Sequence, residues 1–221
     1  MKNYFSPIHL LFFIALLGIL VILIQIELLS FAFAKLGLLP ESGLMILLLS
    51  LLGSAVNLPV TRIKRNTSQA FTPPVYKSLL GSYAQPLHNE TQIFINLGGC
   101  LIPVTLSIYL FSNNALNLSP TLLGIFIISS ISYVFSRPIQ GFGIGMPILI
   151  APISAALVGL SINPEQSASL AYISGTLGVL IGADLLRIKD LSRLGTPYAS
   201  IGGAGIFDGI FITGIVAALL A

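Results

Sequence analysis

Seven long apolar runs, separated by short polar segments, constrain what this chain can fold into. They cover residues 8–34, 43–60, 92–111, 120–136, 144–162, 168–187 and 199–221. A helix needs ~20 mostly apolar residues to cross a hydrocarbon core of ~30 Å, and it satisfies its own backbone hydrogen bonds there. Only 8% of the 221 residues are charged. The sequence therefore predicts an all-α, polytopic membrane protein of about seven transmembrane helices, folded as a single domain over residues 1–221.

The basic residues indicate how these helices cross the membrane. Seven crossings place the N-terminal tail and the loops 61–91, 137–143 and 188–198 on one side. Nine of the ten lysines and arginines lie on that side, and Lys35 alone lies on the other. Because inner loops are enriched in Lys and Arg, we expect the N-terminus inside and the C-terminus outside. The net charge of +3 is thus a topology signal, and no nucleic-acid partner is expected.

Two segments of the N-terminal half need separate interpretation. The first apolar run ends in small residues, as a signal peptide would, but it is longer than the 7–15 apolar residues typical of signals. We expect it to be a retained helix. The polar loop 61–91 has too little apolar periodicity for a domain, so a flexible or partly interfacial inner loop is predicted.

Glycine and proline interrupt several of the predicted helices in loosely similar patterns. These are "GSAVNLPVT" at 53–61, "GGCLIPVT" at 98–105 and "GIGMPILIAPIS" at 143–154. Close helix packing is the more frequent role of such residues in membranes. The alternative is that helices two, three and five break around a cavity lined by Asn57, Asn96 and freed carbonyls, as in transporters.

Helices six and seven carry the most regular glycine spacing. Gly175, Gly178 and Gly182 recur on one face of helix six, which predicts a close approach of another helix. Helix seven has a similar stripe of Gly202, Gly205, Gly209 and Thr213. The glycines at 202, 203 and 205 also weaken regular helix just before Asp208, so Gly203 and its neighbours are predicted to pack closely or to open a polar space.

Two aspartates, Asp184 and Asp208, lie in these same two apolar runs. An ionisable residue inside a membrane helix costs about 2.5–3.5 kcal/mol on insertion scales, so its default interpretation is functional. A short inner loop joins the two helices, which favours an antiparallel hairpin. If the carboxyls meet, they do not both ionise easily, so one holds a proton while the other acts as a base. That pair would suit aspartic-protease chemistry.

Other chemistries find little support in the sequence. The two histidines, His9 and His88, and the single cysteine, Cys100, give no zinc site and no Ser–His or Cys–His nucleophile. No nucleotide, haem or metal cofactor motif occurs, so no cofactor is expected. A cation held by the two aspartates and backbone carbonyls stays open as an alternative.

The segments "SGTLGVLIGADLL" and "SIGGAGIFDGIFITGIVAALLA" resemble a prokaryotic multi-pass membrane family catalogued as domain of unknown function 1614. "GSAVNLPV", "NLGGCLIPV" and "SRPIQGFGIGMP" extend the resemblance over most of the chain. It implies a helical fold in a prokaryotic inner or plasma membrane. A weaker architectural similarity connects the chain to presenilin-type intramembrane aspartyl proteases, whose aspartates lie on consecutive helices joined by a cytosolic loop. Their second motif is Gly-x-Gly-Asp, where this chain reads "GIFD".

Three functions follow as hypotheses from this pattern. An intramembrane aspartyl hydrolase, acting on a membrane-embedded peptide through Asp184 and Asp208, is slightly preferred. A proton- or cation-coupled transporter or channel, moving a small ion, would use the same aspartates. A membrane scaffold would tolerate the loss of both.

Overall fold

The computed structural model of the chain describes residues 7–64, 76–78, 81–83, 90–139, 143–191, 198–203 and 209–221. Within these ranges the chain is mostly helical. The α-helices are α1 (Pro7–Lys35), α2 (Pro40–Gly53), α3 (Ile102–Asn113), α4 (Leu118–Phe135), α5 (Ile150–Ile162), α6 (Ser167–Val179), α7 (Ile188–Leu191) and α8 (Gly209–Leu220). A π-helical turn at Leu97–Leu101 leads into α3, and a second one at Leu180–Leu185 extends α6.

Three of the helical segments are long and apolar enough to cross a membrane, judged by length and composition. They are Phe13–Lys35, Leu118–Phe135 and Pro164–Asp190, the last of which includes α6 and its π-turn. Four shorter apolar helices accompany them, Pro40–Gly53, Leu97–Asn113, Ile150–Ile162 and Ile210–Leu220. Each predicted apolar run thus contains one of these seven helical segments. That all seven cross the membrane stays a prediction.

The expectation of an all-α fold is wrong, because short strands follow or precede several helices. The strands are β1 (Asn57–Lys64), β2 (Tyr76–Ser78), β3 (Gly81–Tyr83), β4 (Glu90–Asn96), β5 (Arg137–Ile139), β6 (Gly143–Gly145) and β7 (Tyr198–Ile201). The main sheet has the order β1-β4-β7, with β1 antiparallel and β7 parallel to β4. Two antiparallel pairs, β2 with β3 and β5 with β6, complete the set.

Local sequence explains why these apolar runs leave the helical conformation. Pro59 cannot donate a backbone hydrogen bond inside a helix and disfavours helix at the residue before it. The register of β1 against β4 shifts between Pro59 and Thr61. In β4, Thr91 and Ile93 are buried while Gln92 between them is half-buried, the alternation of a strand with one covered face. The segment 61–91, predicted as a loop, accordingly contains strand at both ends and the antiparallel pair β2 and β3.

The long helical segment that contains α6 lies at the centre of the protein. Twelve of the thirteen α6 residues are buried, and α6 packs against α3, α4, α5 and α8. By contrast, residues 13–28 of α1 are exposed, and the helix joins the core near its end, where Ala32 and Phe33 are fully buried. The Lys35 ammonium also donates to the Leu219 carbonyl at 3.2 Å, close to the end of α8. The site described next lies at one end of the central helix.

Candidate functional site

Asp184 lies in a π-helical turn at the end of the central helix. The amide of Leu186 donates to the carbonyl of Ile181 at 2.9 Å, an i to i+5 bond that widens the helix around Asp184. Single-turn π-bulges occur frequently at functional sites. The side chain of Asp184 is half-buried. The π-turn thus interrupts the regular helix at Asp184. The sequence had indicated this residue only because of its charge.

The carboxyl of Asp184 is held by the backbone of another element. Its Oδ2 atom accepts a hydrogen bond from the amide of Gly202 at 2.9 Å, just after β7 ends. Gly202 and Gly203 have φ angles of 83° and 101°, a left-handed region that favours glycine. A Cβ on Gly202 would lie 2.7 Å from the Cβ of Cys100. Glycine is thus required at residue 202 for its backbone conformation, for the close contact and for the position of the amide.

An apolar cluster joins the elements around this hydrogen bond. Its buried members include Cys100 of the first π-turn, Ala183 beside Asp184, Ile201 at the end of β7 and Ile210 at the start of α8. Ile210 is 3% exposed and Ala183 is 5% exposed. The end of the central helix, the end of β7 and the beginning of α8 therefore meet in one buried junction.

Asp208 and Gly205 lie outside the described residues. Asp208 immediately precedes Gly209, the first residue of α8, and Ile210 follows two positions later within the junction. The apolar run 199–221 predicted helix from its first residues. The structure instead has strand at Tyr198–Ile201, and α8 covers Gly209–Leu220, so the predicted start of helix seven is wrong. Gly202 does not belong to α8, so it shares no helix face with Gly209 and Thr213.

Asn96 and Asn57 form a polar link between the strands and the first π-turn. Asn96 is 1% exposed, and its amide donates to the carbonyl of Ser54 at 2.7 Å and to the Asn57 Oδ1 at 3.1 Å. Its own oxygen accepts from the Gly99 amide at 2.7 Å. The Ser200 hydroxyl of β7 also donates to the Asn57 Oδ1, at 2.7 Å. This network fastens β1, β4 and β7 beside the junction.

The glycines predicted on one face of helix six lie against three neighbouring helices. A Cβ on Gly175 would lie 3.2 Å from Ala155 of α5 and 3.5 Å from the Thr213 methyl of α8. A Cβ on Gly178 would lie 2.6 Å from Ile128 of α4. At Gly182 it would meet the Ser129 carbonyl of the same helix. Any side chain at residue 178 or 182 would push α4 away from the central helix.

Arg187 has a structural role that sequence reasoning missed, since it was used only as a topology signal. Its Nη2 donates to the carbonyls of Tyr133 and Ser136 at 2.7 and 3.0 Å, and its Nε donates to the Ser136 hydroxyl at 3.3 Å. Its Nη1 bonds Asp190 at 3.1 Å, and the guanidinium lies 4.3 Å from the centre of the Tyr133 ring. Arg187 thereby fastens the end of α4 to the turn that carries Asp184. A cation near a helix C-terminus was the available signal.

The described part of the chain contains no cluster of side chains that could bind a metal ion. Groups of three or more His, Cys, Asp or Glu side chains that could hold an ion are absent from those residues. The Asp184 carboxyl accepts a hydrogen bond from the backbone amide of Gly202.

Fold and site together define a mostly helical protein with membrane-length helices and a buried junction of interrupted elements. A family model described as "Protein of unknown function (DUF1614)" matches residues 51–220. The chain belongs to this family, as its sequence resemblance predicted. No curated protein and no solved structure matches the chain.

Proposed function

We propose that this protein is an intramembrane aspartyl hydrolase that cleaves a membrane-embedded peptide with Asp184 and Asp208. This proposal rests on the buried junction. Ala183, which is next to Asp184, and Ile210, two residues after Asp208, belong to the same buried cluster there. Each aspartate lies within two residues of this cluster along the chain, which supports the proposal that the two carboxyls meet. The hydrogen bond from the Gly202 amide adds a fixed orientation for Asp184.

The proposed chemistry uses the two carboxyls in different protonation states. Like charges close together disfavour double ionisation, so the pair shares one proton. The ionised carboxylate removes a proton from water as the water attacks the peptide carbonyl. The protonated carboxyl polarises that carbonyl and then gives its proton to the leaving nitrogen. Such a reaction needs water at the junction and an extended, accessible peptide bond.

The proposed membrane arrangement has seven crossings, with the N-terminus inside, in the inner or plasma membrane of a prokaryote. The four shorter helices span 11 to 17 residues, less than the ~20 that a full crossing takes. The strands next to several of them would complete those crossings. With the N-terminus inside, Asp184 lies three residues before Arg187, near the inner interface, where water is close.

Carboxamide substitution tests the catalytic pair. We expect Asp184→Asn and Asp208→Asn each to reduce cleavage of a labelled membrane-spanning peptide in proteoliposomes by at least about a hundredfold, because general acid and base groups each contribute 10²–10⁴-fold. Glu165→Gln is the matched control, since Glu165 is exposed at the other end of the same helical segment. Each variant is checked for an unchanged melting temperature in detergent.

Retained cleavage in either aspartate variant, with the fold intact, contradicts the hydrolase proposal. Loss of cleavage in Glu165→Gln as well would show that the assay reports general damage to the protein.

One observation favours a second candidate, a proton- or cation-coupled transporter. Three interruptions of regular helix meet at the same junction: the π-turns at Leu97–Leu101 and Leu180–Leu185, and the strand and turn before α8. Transporters place ion sites at such broken helices. This candidate requires pH-dependent ion flux into proteoliposomes that Asp184→Asn uncouples, and it fails if no tested cation produces flux. A scaffold protein would retain its role in both aspartate variants.

A further inference from the structure

An open groove runs along the outer side of α4, next to the turn that carries Asp184. Its volume is about 410 Å³, within the ~300–1,000 Å³ typical of ligand pockets. The lining comes from α4 and from the π-turn with the residue that follows it. Six lining side chains are apolar: Leu122, Ile125, Phe126, Val134, Ile181 and Leu186.

The length and lining of the groove match one hydrocarbon chain. From Leu122 to Val134 it extends twelve residues along α4, or ~18 Å at 1.5 Å per residue. Half of a bilayer's hydrocarbon core is ~15 Å deep, so the groove has the length of one acyl chain of one leaflet. Its two serines present little polar surface. The Ser130 hydroxyl donates to the carbonyl of Phe126 at 2.8 Å, and the Ser129 hydroxyl is buried.

The end of the groove at Val134 carries the groups that suit a lipid headgroup. Tyr133 lines this end with a phenol that is 43% exposed, and aromatic residues with a polar tip are enriched at membrane interfaces. Arg137 follows three residues after Val134 and is exposed. Within the described ranges no hydrogen bond or ion pair of the Arg137 side chain is seen. Arg187 differs, because its donors are used by α4 and by Asp190.

We propose that this groove is a binding site for one phospholipid with an anionic headgroup. One acyl chain lies along α4 between Leu122 and Val134, and the phosphate meets the Arg137 guanidinium beside the Tyr133 phenol. The site is independent of the proposed hydrolase activity, because neither aspartate takes part in it. A lipid in this position packs against Ile181 and Leu186, on either side of Asp184 in the chain.

Native mass spectrometry of the purified full chain in detergent tests the site. Phosphatidylglycerol and phosphatidylcholine with identical acyl chains are added separately. We expect the wild type to retain one phosphatidylglycerol at concentrations where phosphatidylcholine is mostly lost. Val134→Trp and, separately, Ser130→Phe fill the groove and should lower phosphatidylglycerol occupancy at least about tenfold, since acyl burial provides much of the affinity. Arg137→Gln should lower phosphatidylglycerol retention to the level of phosphatidylcholine.

Two matched controls separate the groove from general effects. Leu157→Trp places the same bulky side chain on α5, where Leu157 is exposed outside the groove. Arg62→Gln removes one exposed positive charge from β1. Both should retain phosphatidylglycerol as the wild type does.

The proposal is overturned by unchanged occupancy in both groove-filling variants, or by equal loss in Leu157→Trp. An unaltered lipid preference in Arg137→Gln overturns the assignment of the headgroup. Retention of a peptide mass in place of lipid would identify a protein segment as the occupant and overturn the lipid assignment.

Discussion

At Gly202 the backbone conformation determines where the amide that binds Asp184 lies. Its φ of 83° is in the left-handed region, and a Cβ would lie 2.8 Å from the Cys100 amide nitrogen. Its own amide donates to Asp184. A side chain at this position would therefore disturb the turn, the contact with the first π-turn and the orientation of the carboxyl.

Gly202→Ala should lower the free energy of unfolding by about 2–4 kcal/mol, from backbone strain of ~1–3 kcal/mol together with the forced contact. Thermal unfolding in detergent measures this. Gly18→Ala is the matched control, because a Cβ there would have nothing within 4 Å, and alanine favours helix over glycine by roughly 0.8–1 kcal/mol. A Gly202→Ala protein as stable as the wild type would refute this account of the turn.

At the level of elements, Arg187 connects the end of α4 to the segment after the second π-turn through several hydrogen bonds. The carbonyls of Tyr133 and Ser136 lie at the end of α4, where no further helical amide is available to them. The Arg187 guanidinium satisfies both and also packs on the Tyr133 ring. The end of α4 is thereby held beside the π-turn that carries Asp184.

Arg187→Gln should destabilise the protein by about 2–4 kcal/mol, since hydrogen bonds to charged groups contribute ~1.5–3 kcal/mol each and part of the loss is recovered by water. Arg187→Lys should recover less than half of it, because lysine lacks the planar fork of donors. Urea or thermal unfolding reports both, with Arg62→Gln as the control for loss of one exposed charge. Full recovery by lysine would show that charge alone, and not the geometry of the donors, matters here.

For the whole molecule, the proposed orientation follows from the distribution of basic residues. Retaining nine of ten Lys and Arg residues inside is favourable because basic loops resist translocation. A fluorescent protein that folds only in the cytoplasm should be bright when fused to the N-terminus of the full chain and dark when fused to the C-terminus. An alkaline phosphatase that is active only outside should show the opposite pattern. Two bright termini would indicate an even number of crossings.

Much of the helical framework could be predicted, since each apolar run contains a helix whose existence depends on length and hydropathy. The ends of those helices could not be predicted as well. Asn57–Lys64, Glu90–Asn96 and Tyr198–Ile201 are strands because they pair with one another, and pairing between segments far apart in the chain leaves no periodic signal in any one of them. The early end of α2, and the strand in place of helix at Tyr198–Ile201, follow from that pairing.

For the candidate site, the sequence by itself determined that Asp184 and Asp208 stand out, because a charge inside an apolar run is costly wherever the chain folds. It also determined the glycine spacing that lets α4 approach the central helix. Only the tertiary structure decided that Asp184 lies in a π-turn, that it accepts a hydrogen bond from Gly202, and that Ala183 and Ile210 share a buried cluster. The physical reason is that burial cost is a property of a single residue, whereas hydrogen bonds and packing depend on which distant segments meet.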